Sequence, residues 1–445
     1  MATRADRTTL LAASRVLGSL WFSMVFGSAA AFVAQVLAAR LLGTAAYGAL
    51  SAALAAVGII APLVGFGIGS YWLRAFGLGG HAAQRWLGPS IKLTRVTSAI
   101  GVALLVVWAF TSGMSSSARD LTLLLLPLAA TQGVYELMQS RLQLEERYYA
   151  LSAWQSVPNT LRLVTVAAVT LLGGSVWWLA AGYSLGALLV GAFGIAGIAA
   201  MSHGRWTLKG HESVAGDPSR ADRTNVIGLM RESWPFALAG LFYLIYYQSD
   251  IVIVAWLSGD GAAGVYQVAV VMVAAVYLLP NVVFQRYLLP KLHRWAEHNR
   301  TRFLAVYRFG CGLMSVLGLL AAFVVAVVAP AVVGLIFGSS YAAAGSALRV
   351  LAVGVAAHYV ATAVGAVLVT GDHMRRKVKY QGVTAALNVG LNLVLVPALG
   401  FVGAAVSTAT CEVLLAVMYL VAVRRHVLGE DAWSGWTLRY RENTL

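Results

Sequence analysis

The stretch "FYLIYYQSDIVIVAWLSG", residues 242–259, is apolar or aromatic almost throughout and carries one acid, Asp250. A run of about 18 or more such residues is long enough to cross the hydrocarbon core of a bilayer as a helix. A charged side chain at that depth costs about 2.5–3.5 kcal/mol on insertion scales, so an acid kept there has a partner, a wet cavity or a task. The pattern recurs along the chain. Long apolar runs fall near 16–39, 48–72, 93–112, 121–141, 150–172, 176–200, 234–257, 264–287, 307–329, 347–370, 381–397 and 400–423. They predict an all-α polytopic membrane protein of twelve transmembrane helices.

Composition agrees. Of the 445 residues, 60% are hydrophobic and 11% charged, too few charges to cover a soluble protein of this length. The 45 glycines suit helices that approach closely in lipid, where the hydrophobic effect does not drive association. The first run, 16–39, exceeds the roughly 7–15 apolar residues of a secretory signal and reads as a retained span. Cys311 and Cys411 lie in apolar runs without metal-ligand spacing and read as small packing residues.

A net charge of +15 would suggest nucleic acid in a soluble chain. Here the basic residues sit in the loops. With the N-terminus in the cytosol, 28 of the 32 Lys and Arg fall in cytosolic segments. Only Arg40, Arg119 and Arg349 fall outside, and Arg162 lies within the fifth span. That asymmetry predicts cytosolic termini and no nucleic-acid partner.

The longest polar segment, 201–231, divides the spans six and six. The expected organisation is a cytosolic N-terminus at 1–15, an N-lobe at 16–200, an inter-lobe loop at 201–231, a C-lobe at 232–425 and a cytosolic tail at 426–445. In that tail Trp433, Trp436 and Tyr440 would share a helical face along the inner membrane surface. An internal repeat supports two lobes. "LLGTAAYGALSAA" (41–53) and "LSGDGAAGVYQVA" (257–269) place Gly43 and Gly48 in register with Gly259 and Gly264, at an offset of 216. Parallel repeats of this kind place a substrate site between the halves.

Polar residues inside the runs fall on single helical faces. The fourth span carries Gln132, Glu136, Gln139 and Gln143, and the fifth Ser152, Gln155, Asn159 and Arg162. The eighth carries Tyr277, Asn281 and Gln285, and the eleventh Gln381, Thr384, Asn388 and Asn392. Interhelical bonding explains single members; four on one face point to a wet cavity. Arg162, Glu136, Asp250 and Glu412 are too costly in lipid without water or partners. No catalytic constellation or phosphate-binding Gly-Lys-Ser/Thr loop is present, so the chain reads as a non-enzyme. "GFGIG" (65–69) reads as helix packing.

Four stretches together resemble the bacterial polysaccharide or O-antigen (Wzx-type) flippases. They are "AARLLGTAAYGALSAALAAVGIIAPLVGFG", "SDIVIVAWLSGDGAAGVYQVAV", "GLIFGSSYAAAGSALRVLAVG" and "NVGLNLVLVPALGFVGAAVSTATCEVL". That family belongs to the multidrug/oligosaccharidyl-lipid/polysaccharide (MOP) exporter superfamily. The resemblance implies two six-helix lobes in a V, alternating access in the bacterial cytoplasmic membrane, and an undecaprenyl-diphosphate-linked oligosaccharide as cargo. It implies no cofactor, with coupling to a proton or sodium gradient, and polysaccharide polymerase and glycosyltransferases as partners beside membrane lipids. Two positions depart from it: Ile251 follows Asp250, and Ser339–Ser340 stand where an acid is usual.

For such a cargo, cations would meet the diphosphate: Arg141 and Lys379 at the cytosolic mouth, Arg162 near the middle, Arg40 and Arg349 at the outer end. Gln132, Glu136, Gln139, Asn159, Asn281, Asn388 and Asn392 would line the groove for sugars. Asp250, with Glu136 and Glu412, would take the coupling ion. Alternatives in the same superfamily are an ion-coupled multidrug exporter and a lipid II flippase.

Overall fold

The structure, a computed structural model, describes residues 4–209, 225–281, 295, 299–368, 374–433 and 435–438, with side chains from Ser23 onward except that of Met374. Among them the regular elements are all helical. They are α1 (Arg4–Gly65), α2 (Ile68–Gly79), α3 (Leu87–Thr111), α4 (Ser116–Leu124), α5 (Leu126–Leu144), α6 (Tyr148–Leu171) and α7 (Val176–Ser202). Then follow α8 (Val226–Ser258), α9 (Asp260–Pro280), α10 (Arg300–Val327), α11 (Ala329–Phe337), α12 (Ala344–Val367), α13 (Met374–Leu399) and α14 (Phe401–Val423).

Nine helical stretches among the described residues are long and apolar enough to cross a membrane. One of them, 23–111, spans most of the first three apolar runs. The fifth run, α6, is helical but absent from the nine; it carries Gln155, Asn159 and Arg162. Large apolar side chains face outward, among them Leu171 at 87% exposure and Phe193 at 72%. On a soluble protein that would be an aggregating surface; in lipid it is the solvated one.

The repeated glycines share a conformation. Gly43 (φ 70°, ψ 177°) breaks α1 between 4–42 and 44–65, and Gly259 (φ 86°, ψ 164°) divides α8 from α9. Both need the positive φ that only glycine reaches without strain. Their partners Gly48 and Gly264 meet each other reciprocally. A Cβ on Gly48 would strike the carbonyl of Asp260, and one on Gly264 the carbonyl of Thr44.

A second break was not legible. Phe66 (φ 47°) and Gly67 (φ 64°) are both left-handed, so "GFGIG" ends one helix and starts another, while its glycines take the expected close packing, against Glu136, Phe236 and Ser140. The break frees the Val64 carbonyl, which accepts from Thr97 Oγ1 at 2.7 Å. A buried carbonyl without that bond would be costly, so the kink and Thr97 belong together.

Contacts divide the chain into two units, 1–42 with 53–241, and 43–52 with 242–445. The divide therefore falls within α8 rather than in the polar loop at 201–231. The reason is local: Gly67 leaves room for Phe236 and Ala237, so the start of α8 packs in the first unit. In that unit α5 lies against α7, α3, α2 and α6. In the second, α12 is the buried centre, flanked by α14, α10 and α9.

The tail departs from the expected helical face. Residues 429–432 form a single 3₁₀ turn and 435–438 are not helical; Tyr440 lies outside the described residues. The segment is pinned to α10 instead. Tyr307 Oη donates to the Ala432 carbonyl at 2.5 Å, Arg308 pairs with Asp431 at 2.6 Å, and Thr437 packs on bare Gly312. A Cβ at Gly312 would sit 2.6 Å from the Thr437 carbonyl oxygen, which is backbone and cannot swing aside. Gly312→Val is expected to release the tail, seen as faster proteolysis at 435–438 in inside-out vesicles with α10 intact. Unchanged cleavage would mean the other contacts suffice.

Candidate functional site

The first unit encloses a cavity of about 290 Å³. The fourth and fifth apolar runs bring polar side chains to it: Gln132 and Tyr135 from α5, and Gln155, Asn159 and Arg162 from α6. Tyr183 of α7 completes the wall, with the Arg162 guanidinium 5.8 Å from its ring centroid. Pro158 in α6 and the bare Gly186 on α7 also line it. Among the described residues Arg162 has no hydrogen bond and no ion pair; it faces the Tyr183 ring and acts on the Tyr135 phenol. A half-buried arginine in that state offers its donor fork to an anion.

Glu136 lies beside this wall. Its carboxyl accepts from Gln132 Nε2 at 3.0 Å and fills the space left by the missing side chain of Gly65. Gln139, one turn on, is half-buried and outside the cavity, and Gln143 is exposed. Only part of the predicted stripe therefore lines the cavity.

In the second unit Asp250 is 4% exposed and wholly wrapped by neutral donors. Tyr266 Oη donates to Oδ2 at 2.9 Å, Asn392 Nδ2 to Oδ1 at 2.7 Å, and Thr408 Oγ1 also donates to Oδ2. Asn388 stands behind Asn392: its Oδ1 accepts from Asn392 at 3.2 Å and from Ser249 at 3.3 Å. Asn392 Oδ1 is buried with no hydrogen-bond partner among the described residues. Asn388 and Asn392, expected along a wet groove, are thus fully buried as second and first neighbours of Asp250. Their i,i+4 spacing puts both on the face of α13 turned to α8 and α14.

Other expected positions divide plainly. Glu412 is fully buried and faces His358 Nδ1, 3.2 Å from each carboxylate oxygen. Arg141 does not stand open at a mouth. It is buried in an ion pair with Glu145 at 2.8 Å and also donates to the carbonyls of Gly197 and Arg205. Arg40, Arg349, Lys379 and Asn281 are exposed, and Gln285 lies outside the described residues. Sequence reasoning missed Tyr183, Tyr266 and Thr408. Tyr266 stands two residues after the repeated Gly264, and Thr408 one turn before Glu412; those were the available signals.

A family model described as "Polysaccharide biosynthesis protein" matches residues 16–296. No curated protein matches the chain. Among solved structures, "Lipid II flippase MurJ, inward closed conformation" is 15% identical with a TM-score of 0.68, covering 91% of this chain and 87% of that one. An inward-facing multidrug resistance MATE family transporter of the MOP superfamily is 15% identical with a TM-score of 0.69, covering 90% and 94%. A MOP superfamily transporter from Pyrococcus furiosus is 16% identical with a TM-score of 0.56, covering 93% and 94%. At these identities the likeness is one of fold.

Proposed function

The chain belongs to the polysaccharide biosynthesis protein family and has the fold of MOP-superfamily flippases and transporters, and from that premise we propose that it carries polyprenyl-diphosphate-linked oligosaccharide from the inner to the outer leaflet. In this reading it is a twelve-span protein of the bacterial cytoplasmic membrane, with both termini cytosolic, working by alternating access. The prenyl chain stays in lipid while sugars and diphosphate, too polar to cross bare, travel through protein. Glycosyltransferases would supply the cargo and a polymerase would take it up.

The observation that carries the reading is Arg162, a cation without an anionic partner among the described residues, set in a cavity with amides and phenols. Amides and phenols suit sugar hydroxyls; the guanidinium suits a phosphate or a sugar carboxylate. At about 290 Å³ the cavity is near the lower end of the roughly 300–1,000 Å³ typical of ligand sites. It would hold part of the cargo at a time. A multidrug exporter of cationic compounds fits an arginine-bearing cavity less well. The lipid II reading uses the same chemistry at the diphosphate and differs in the group the lipid carries.

Asp250 is the proposed coupling site for a proton or sodium ion. Its oxygens accept from Tyr266 Oη, Thr408 Oγ1 and Asn392 Nδ2, so the carboxylate is ringed by neutral groups with no fixed cation among the described residues.

The test is Arg162→Ala and Arg162→Lys in a cell-surface glycan assay. Removing one partner of a desolvated charge contact costs about 2–5 kcal/mol, at least roughly 30-fold in affinity at about 1.4 kcal/mol per decade. Export is expected to fall for both, because lysine keeps the charge but loses the planar fork. Wild-type export by Arg162→Ala at normal protein level would remove the cargo reading from this cavity.

A further inference from the structure

We propose that His358 and Glu412 form a proton-binding site of the second unit, distinct from the one at Asp250. His358 comes from α12, the buried centre of that unit, and Glu412 from α14, which packs against it. His358 is 7% exposed and Glu412 is fully buried. The imidazole is held flat against Tyr277 of α9, with ring centroids 3.7 Å apart and planes 12° off parallel. That stacking fixes the ring so that Nδ1 points between the two carboxylate oxygens, 3.2 Å from each.

This geometry requires a proton between the groups. An unprotonated Nδ1 facing an unprotonated carboxylate sets lone pairs against lone pairs, so the geometry places one proton between them. With that proton alone the pair has a net charge of −1. One further proton, on the carboxylate, makes it neutral; on Nε2 it would have no acceptor among the described residues. Among the described residues Nε2 is buried with no hydrogen-bond partner, and so is the hydroxyl of Tyr246. Hydrogen-bonding capacity around the pair is therefore left open, where native interiors leave very few groups unpaired.

No cation balances the pair among the described residues. From α8 it is faced by Tyr243, Tyr246 and Tyr247, from α9 by Tyr277, and along α14 by Cys411 and Tyr419. α12 itself adds Tyr359, whose Cβ packs on bare Gly318 of α10. The titratable residues of α10, Arg300, Arg302, Tyr307, Arg308 and Cys311, lie at least seven residues before that contact, and α11 has none. On α13 the charged residues Arg375, Arg376, Lys377 and Lys379, and Tyr380, precede Gln381, the residue that reaches Tyr419. The surroundings are thus phenols, amides and a thiol.

The pair is near Asp250 without belonging to it. Thr408, which bonds Asp250, and Glu412 are one helical turn apart on α14, about 6 Å along the axis at roughly 1.5 Å per residue. The Cys411 thiol feels both carboxyls. Two carboxylates so placed repel, so filling one site with a cation weakens the hold of the other on its proton. This linkage rests on the ion-coupling reading of Asp250; the proton site does not.

The experiment is pH-difference infrared spectroscopy of the full-length protein in lipid. The wild type is expected to show a protonated-carboxyl band that grows as pH falls. The band should be lost in Glu412→Gln, lose its pH dependence in His358→Gln, and survive in Asp250→Asn. Persistence of the band in Glu412→Gln, or its absence from the wild type at every pH, would overturn the site. A band lost only in Asp250→Asn would place the proton at Asp250, so that this site falls and the coupling reading stands. Conversely, a dyad band together with gradient-dependent export by Asp250→Asn would remove the coupling reading and keep this site. Were Glu412→Gln to misfold, glutamate carrying a heavy carboxyl carbon would be used. An isotope shift of the wild-type band that persists in Glu136→Gln supports the site, and no isotope shift overturns it.

Discussion

Asp250→Asn is expected to leave a folded, membrane-inserted protein whose glycan export no longer follows an imposed ion gradient. The fold should tolerate the change because the partners are adaptable. Asparagine keeps one carbonyl oxygen, which can still accept from Asn392 Nδ2. Its new amide faces the hydroxyls of Tyr266 and Thr408, which can turn from donor to acceptor. Charge is what is lost. A unit charge facing a monovalent cation at about 4 Å is worth about 4 kcal/mol at an effective dielectric of about 20. That is close to a thousandfold in affinity at about 1.4 kcal/mol per decade. An ion can drive a carrier only by binding its two states unequally, and a site that no longer binds the ion cannot do so. Radioactive sodium binding, and export under separately imposed sodium and pH gradients, would read both ions. Normal binding and normal gradient dependence in Asp250→Asn would make the residue structural, a hydrogen-bonded brace between α8, α13 and α14.

How much of this was legible depended on how far apart the partners stand in the chain. The apolar runs announced helices because lipid forces every backbone group to bond within its own segment. The glycine repeat at 43/48 and 259/264 was visible because a positive φ and a close backbone approach both demand the same residue. Side-chain faces were legible only as faces. Periodicity placed Gln132 and Glu136 together and Asn388 and Asn392 together, yet one pair edges a cavity and the other is sealed in protein. That distinction is set by Tyr266 and Thr408, 16 and 158 positions away from Asp250. No single-helix pattern contains it. The break at Phe66–Gly67 was hidden for a similar reason, since the bond that compensates it comes from Thr97 on another helix.

Arg141 shows the opposite case, a partner four residues away that was readable and passed over, and it supplies the largest stability effect expected here. Its guanidinium is fully committed. Nε donates to Glu145 at 2.8 Å, one Nη to the Gly197 carbonyl and the other to the Arg205 carbonyl at 3.1 Å. Those carbonyls belong to the last turns of α7 and the segment beyond it, near the negative end of the helix, where a cation is favourable. Glu145 is 4% exposed, and its other described ion-pair partner, Arg147, stands 3.5 Å away with its side chain largely in solvent. Removing one member of a buried ion pair typically destabilises by about 3–5 kcal/mol, because the other charge is left uncompensated. Arg141→Ala is therefore expected to lower the thermal unfolding midpoint of the purified protein sharply. Adding Glu145→Gln should recover part of that loss, since it removes the stranded charge, and the double-mutant cycle would measure the coupling. A residue that met the diphosphate at the cytosolic mouth would behave differently: Arg141→Ala would unfold at the wild-type temperature while export collapsed, and Glu145→Gln would rescue nothing.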